Sequence, residues 1–311
     1  MTIIADGNGN YDGAGLDLVH KLNVEMPILF ISRVDGYVFN EKVLELEGKD
    51  YCIVDYTELG WNWSMEFSHL WGVNTDKFDF LQGEEWAKLD AFIKDNPPKI
   101  SFIRELLKED YKDNVHPISY ACFLPAEPIE TFEQFNKRPL QMIFSWGLSH
   151  EYRKDLHAQI WQNAGKHGYI VNDNLYYLNN FVQKESNPNK WFTCNIPWYS
   201  RHPMNEFIKI NGWAKISVSI AGAGRSCFRH GESPINSAML MWDDNLAWHE
   251  WWHHGINCIK CKQGEEIETI LEWLKKPEDL YNVYKNGVET VDKFRFENYV
   301  PYLESLINKT K

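Results

Sequence analysis

Short, nearly unbroken apolar runs punctuate the first half of the chain: TIIA at 2–5, PILFI at 27–31, YCIVDY at 51–56, ISFI at 100–103 and ISYACFL at 118–124. Runs this short and this continuously apolar predict strands covered on both faces rather than strands with one wet side. Polar, glycine-containing turns separate them, together with segments of helical spacing such as EEWAKLDAFIKD at 84–95. Strands alternating with helices predict a parallel sheet in an α/β fold. The proline-bounded, charged stretch PAEPIETFEQFNKRP at 125–139 breaks the rhythm and reads as a linker, dividing the chain into domains at 1–130 and 131–311.

The alternation then resumes. LQMIFSWG at 140–147 is a strand running into a glycine turn, HEYRKDLHAQIWQNAG at 150–165 has helical spacing, and GYIV at 168–171 is a further strand. NEFIKINGW at 205–213 follows as helix and KISVSIAG at 215–222 as strand. INSAMLMW at 235–242 runs from a helix end into a strand, and INCIKC at 256–261 is the next strand. Two closing helices are expected, one through EEIETILEWLKK and one opened by Pro277 at its first turn. The expectation is two Rossmann-like halves facing each other.

Composition narrows the function classes. With 311 residues, 44% of them hydrophobic and 15% aromatic, the chain is long enough for two cores. No stretch of about 18 apolar residues is present, and MTIIADGNGN has neither the basic start nor the apolar run of a signal peptide. A cytoplasmic protein without a membrane span is expected. Lys and Arg total 32 against 44 Asp and Glu, a net charge of -12 that repels phosphate backbones, so nucleic acid is a disfavoured partner. Six scattered cysteines do not resemble a disulfide framework, and Cys258-Ile-Lys-Cys261 reads as part of a strand rather than a metal or redox pair.

The stretch SVSIAGAGRSCFRHGES at 217–233 carries the most chemistry. An apolar strand ends in a Gly-Ala-Gly turn, and Arg225, Arg229 and Glu232 follow as a helix begins. Ligands in open α/β sheets bind beyond the carboxyl ends of strands, where helix starts present N–H groups to anions. Gly222 and Gly224 permit close backbone approach, an arginine offers forked donors to phosphate oxygens, and Glu232 can accept from a ribose diol. The competing account is a plain turn followed by an Arg229–Glu232 pair on a helix surface. In YTELGWNWSMEFSHLWGVN at 56–74, Trp61 and Trp63 with Glu58 and His69 form an aromatic and acidic surface suited to sugar C–H faces and hydroxyls, with an aromatic core as the alternative. ADGNGNYDGAGLD at 5–17 is glycine-rich but departs from the GxGxxG dinucleotide fingerprint.

The order of these parts resembles the carboxyl-terminal half of GT-B glycosyltransferases, particularly the exostosin-like and related groups. IAGAGRSCF, Arg229-His-Gly-Glu232, SPINSA and MLMW follow in the family's sequence of strand, glycine turn, Arg-x-x-Glu, small residues and strand. GINCIKC and EEIETILEWLKKPEDLYNVYKNGVETVDKF continue it, so the last third is well covered and SWG to Gly165 loosely. The resemblance implies a nucleotide-diphosphate sugar held by the second half, a hydroxyl acceptor held by the first, and no metal or other cofactor. Arg229 would neutralise the diphosphate and Glu232 hold the ribose. Arg225 either assists or faces solvent. Arg153, near the start of the helix after Gly147, matches an arginine facing the diphosphate, or is a surface residue beside Glu151. Asp12 or Asp17 would be the base that deprotonates the acceptor in an inverting reaction, with turn-shaping and helix-capping as their competing roles and Glu58 and His69 as alternative bases.

Two other readings start from the residues. His249-Glu250-Trp251-Trp252-His253 fits the HExxH pattern of zinc hydrolases, with Glu265, Glu266 or Glu268 as a third ligand. In the GT-B comparison the same stretch is a donor-side loop whose tryptophans wall a pocket. A noncatalytic nucleotide- or glycan-binding protein with the same fold is the remaining alternative.

Overall fold

The apolar runs form the strands of two wholly parallel sheets. A computed structural model describes residues 2–5, 13–32, 38–56, 84–122, 124, 128–146, 151–164, 166, 170–172, 190–195, 204–221, 226–227, 229–243 and 246–310. The first sheet holds β1 (Ile3–Ile4), β2 (Ile28–Ile31), β3 (Cys52–Asp55), β4 (Ile100–Ile103) and β5 (Val115–Pro117), paired in chain order. Register aligns Ile28 with Cys52 and Cys52 with Ile100, so side chains of like parity share a face. Phe30, Val54 and Phe102 pack in one core with Leu18 and Val19 of α1 (Gly13–Lys21). Leu29, Ile31 and Ile53 pack in another, with Leu89, Phe92 and Ile93 of α2 (Glu84–Asp95). Both faces are dry, which is why these strands lack hydrophobic–polar alternation.

The run at 118–124 departs from the expected strand. The ladder closes with Ile118 N–H on the Ile103 carbonyl at 3.2 Å, and beyond it Ser119 N–H goes to Tyr299 Oη at 2.9 Å and Cys122 N–H to the Phe294 carbonyl at 2.8 Å. Its side chains are apolar because the end of the chain covers them. That end is a third closing helix beyond the two expected, α9 (Phe296–Lys309), whose Tyr299, Leu303 and Ile307 join the first sheet's core.

The second sheet comprises β6 (Leu140–Trp146), β7 (Ile170–Asn172), β8 (Lys190–Asn195), β9 (Ala214–Val218), β10 (Ala238–Trp242) and β11 (Ile259–Cys261), in the order β11-β10-β9-β6-β8-β7. β8 escaped the hydrophobic pattern because KWFTCN is flanked and interrupted by polar residues. Cys258 and Cys261 are buried free thiols at β11, as the strand reading of NCIKCK implies.

The segment expected as a linker contains a packed helix, α3 (Phe132–Asn136). A capping box starts it: Thr131 Oγ1 accepts from Gln134 N–H and the Gln134 side chain accepts from Thr131 N–H. Phe135 is buried and lies 5.0 Å from the near-parallel Tyr284 ring, with the Arg138 guanidinium 4.7 Å from both rings. The remaining helices are α4 (Glu151–Ala164), α5 (Met204–Asn211), α6 (Arg229–Glu232), α7 (Glu266–Trp273) and α8 (Pro277–Val291). Gly287 lets α8 approach closely, since a Cβ there would stand 3.0 Å from the Asn257 carbonyl. Among the described residues, no helix is long and apolar enough to cross a membrane.

Candidate functional site

From β6 the chain moves to β7 and β8 on one side, then returns to β9, β10 and β11 on the other, so the switch point of this sheet lies between β6 and β9. Crevices in open parallel sheets form at that point, beyond the strands' carboxyl ends. α4 follows β6 there and α6 follows β9. Arg153, in the first turn of α4, is buried, and its Nε donates to the Ala221 carbonyl at 2.9 Å. Tyr152 Oη donates to the same carbonyl at 3.0 Å, so the first turn of α4 grips the segment leaving β9. Arg153 is therefore no surface residue.

Arg229 opens α6, its Nη1 lying 3.6 Å from Glu232 Oε2, and the two side chains retain 23% and 11% of their exposure. Both arginines act on one thiol: burial pushes the Cys227 thiol up, while the Arg153 and Arg229 charges pull it back. Two guanidinium groups from the first turns of different helices thus share one neighbourhood at the switch point. Such a pair offers planar, forked donors to an anion.

The first sheet closes this neighbourhood from the other side. Arg104 and Glu105 come immediately after β4, and both are buried. Glu105 Oε1 accepts from Ser226 N–H at 3.0 Å, tying the segment after β9 to the end of β4. Arg104 Nε lies 3.3 Å from the same oxygen, and the Arg104 guanidinium also packs on the Tyr120 ring and hydrogen-bonds its hydroxyl. The carboxyl ends of β4 and β9 therefore meet at one seam. Glu105 and Tyr152 were not singled out from sequence; the signal for Glu105 was a charge pair directly following an apolar strand.

Asp17, proposed as base or cap, is the fifth residue of α1 and exposed, which places it inside the helix and not at its cap. Asp12, Glu58, Trp61, Trp63, His69, Gly147, Gly222, Gly224 and Arg225 lie outside the described residues.

Glu232 has a raised pKa, caused by burial and opposed by the Arg229 charge. An unfolded glutamate releases its proton near the ordinary 4.5, whereas the folded one holds it to higher pH. Between those values the folded state binds more protons, so this group's contribution to stability falls as pH rises through the interval. Urea midpoints measured from pH 4.5 upward are expected to fall less steeply in Glu232→Gln than in the parent. Equal slopes would contradict this.

The HEWWH stretch lacks the α-helical geometry of the zinc motif. His249 sits in a short 3-10 helix (Ala247–Trp251), buried against Trp248 at 4.1 Å and His230 at 5.8 Å, whereas His253 lies beyond its end and is exposed. An HExxH ligand pair needs an α-helical turn to bring both imidazoles to one face. Among the described residues no three His, Cys, Asp or Glu side chains group as metal ligands. Accordingly, His253→Ala should change stability by no more than about 0.5 kcal/mol and His249→Ala should destabilise by about 2 kcal/mol, and chelator treatment should leave the melting temperature unchanged. Stoichiometric zinc whose removal lowers that temperature would restore the hydrolase reading.

No protein-family model matches the chain, and no curated protein matches it in sequence. Solved structures do match its fold. TarM superposes with a TM-score of 0.51 at 11% identity, covering 95% of this chain, which spans only 57% of TarM. HepE of Anabaena, in complex with UDP and glucose, gives a TM-score of 0.51 at 10% identity, with 99% of each chain covered. The same protein with UDP-glucose gives 0.50 at 10% identity and the same coverage. At these identities the match establishes the architecture: two Rossmann-like parallel sheets in the GT-B arrangement.

Proposed function

We propose that this GT-B chain is a nucleotide-sugar-dependent glycosyltransferase, binding its donor at the β6–β9 switch point. The observation that carries the proposal is the placement of Arg153, bonded to the Ala221 carbonyl, and of Arg229, at the start of α6, about the segment leaving β9, at the seam where Glu105 of the first sheet meets Ser226 of the second. The fold match to HepE, which is seen with UDP and UDP-glucose, supplies the donor class.

In this reading the bond between the sugar's anomeric carbon and the diphosphate oxygen breaks, and negative charge grows on the departing diphosphate. Guanidinium groups fixed at that position stabilise the charge more in the transition state than before it. This is the role of Arg229 and Arg153, with Gly222, Gly224 and Arg225 as further donor contacts and Gly147 leading into α4. Glu232 accepts from the ribose hydroxyls. The acceptor lies against the first half, toward Glu58, Trp61, Trp63 and His69, and its hydroxyl proton passes to Asp12 or Asp17. Arginine supplies the cationic stabilisation, so the proposal assigns no metal or other cofactor. The exostosin-like affinity of residues 217–242 is the finer part of the proposal.

A thermal-shift screen against nucleoside diphosphates and their sugars tests it, because a ligand that binds only the folded chain raises its melting temperature. A rise with at least one donor, followed by release of the diphosphate when acceptors are supplied, is the expected outcome. No rise with any donor would refute the proposal; a rise with no donor consumption would leave the noncatalytic binding protein.

A further inference from the structure

We propose that the aromatic pocket between Trp251 and the start of α9 is a binding site for a neutral carbohydrate unit, separate from the donor site. The pocket encloses about 370 Å³ and is walled by Trp251, Phe294, Tyr299 and Tyr302. That volume falls within the range of small-ligand sites, which combine apolar walls with a few polar groups.

The wall is a set of ring faces held by one another. Trp251 lies 5.0 Å from Phe294 and 6.4 Å from Tyr299, and Tyr302 stacks on Tyr299 at an interplanar angle of 12°. Tyr299 is fixed in turn, since its hydroxyl accepts from Ser119 N–H. Tyr302 retains 41% of its exposure and so presents a ring to solvent. Tyr111, 51% exposed, is close enough to Tyr302 to raise its pKa further, after burial has done so, which keeps that phenol a hydroxyl donor.

The rim supplies the complementary polar set. Asp292, Lys293 and Asn298 line it. Asp292 Oδ1 accepts from Arg295 Nε, and Asn298 Nδ2 donates to the Asp292 carbonyl at 2.8 Å. Those bonds orient both side chains, a carboxylate and an amide that can accept, while the Lys293 ammonium and the Tyr302 hydroxyl are donors among the lining groups.

Donors and acceptors around a ring surface match a sugar, whose hydroxyls edge an apolar C–H face. The Asp292 carboxylate stands beside Lys293 on the rim, so a phosphate approaching that lysine also meets a like charge. An acyl chain would leave the rim's polar groups unanswered. Trp251 belongs to the HEWWH stretch, so one of its tryptophans does wall a pocket, but beside α9 and not beside Arg229. This inference stands whether or not the chain transfers sugars.

Saturation-transfer NMR on the full chain, with a panel of neutral di- and trisaccharides and with octanoate as an aliphatic control, tests the site. At least one saccharide is expected to receive saturation on one ring face. Tyr302→Ala should weaken that binding by roughly tenfold, as expected for loss of one aromatic stacking partner, and Lys293→Ala should weaken it less. Arg229→Ala should leave it unchanged. Both pocket substitutions are at solvent-facing side chains, and circular dichroism checks their folding. Transfer to no saccharide, transfer to octanoate alone, or transfer undiminished in Tyr302→Ala would each overturn the proposal.

Discussion

On the donor site proposed above, Arg229→Ala is expected to weaken nucleoside-diphosphate binding by roughly 10- to 100-fold, as follows from about 1.5–3 kcal/mol for hydrogen bonds to a charged group. Turnover should fall further, by on the order of 10²–10³, because the lost interaction strengthens as diphosphate charge develops. The substitution is readable because the Arg229 side chain is not fully buried: it keeps 23% of its exposure, and its ion pair with Glu232 is local to α6. Removing it leaves Glu232 without that counter-charge, so the glutamate moves further toward its neutral form, a change that folding tolerates better than a stranded carboxylate. Arg229→Lys keeps the charge and loses the fork, and should fall between. Calorimetric titration with UDP and a diphosphate-release assay measure the two effects. An unchanged UDP affinity in Arg229→Ala would place the phosphates elsewhere. Arg153→Ala is the poorer probe, since Arg153 also holds the Ala221 carbonyl and its loss would mix binding with local packing.

Phe135→Ala is expected to destabilise the chain by about 3–5 kcal/mol, the range for truncating a buried phenylalanine. The residue lies in the segment that its prolines and charges mark as a linker, where such a substitution would cost almost nothing. In the structure it is buried, stacked on Tyr284 of α8, and shares the Arg138 guanidinium with that ring. Arg138 is committed in turn, with Nε on Glu130 at 2.9 Å and Nη1 on the Ala214 carbonyl at 2.7 Å. Losing the Phe135 ring therefore opens a cavity beneath a buried cation. Urea unfolding of Phe135→Ala beside a surface control such as Ile129→Ala checks this. Equal midpoints would return 125–139 to linker status.

Much of the fold was legible because burial on both faces leaves a local trace. A strand in a doubly covered parallel sheet must be apolar along its whole length, and ILFI, CIVD, ISFI and AMLMW are. α2 appears over the residues its spacing predicts, Glu84–Asp95, and Pro277 opens α8. Burial and strand pairing leave the same apolar trace in a sequence, so the trace alone does not separate them. ISYACFL is buried by α9 and the segment before it rather than by pairing in the sheet. Within PAEPIETFEQFNKRP, which lies between the two sheets, prolines and charge mask the capping box T-F-E-Q that starts α3. In HEWWH the spacing alone also suits metal ligation, and the 3-10 geometry that sets the two histidines apart is not legible from it.

The order of apolar runs, turns and helix starts determined, without coordinates, that the chain would build two parallel sheets and that Arg229 and Glu232 would follow a strand's end. Those features depend on neighbours within a few residues, so they are written in local pattern. What only the tertiary structure decided was which distant pieces meet: Arg153 with the segment leaving β9, Glu105 with Ser226, α9 with the first sheet, and Trp251 with Tyr299. Each of these contacts joins residues far apart in the chain. No single-sequence periodicity encodes them, because strand order and the return of the last helix are settled by packing of whole elements.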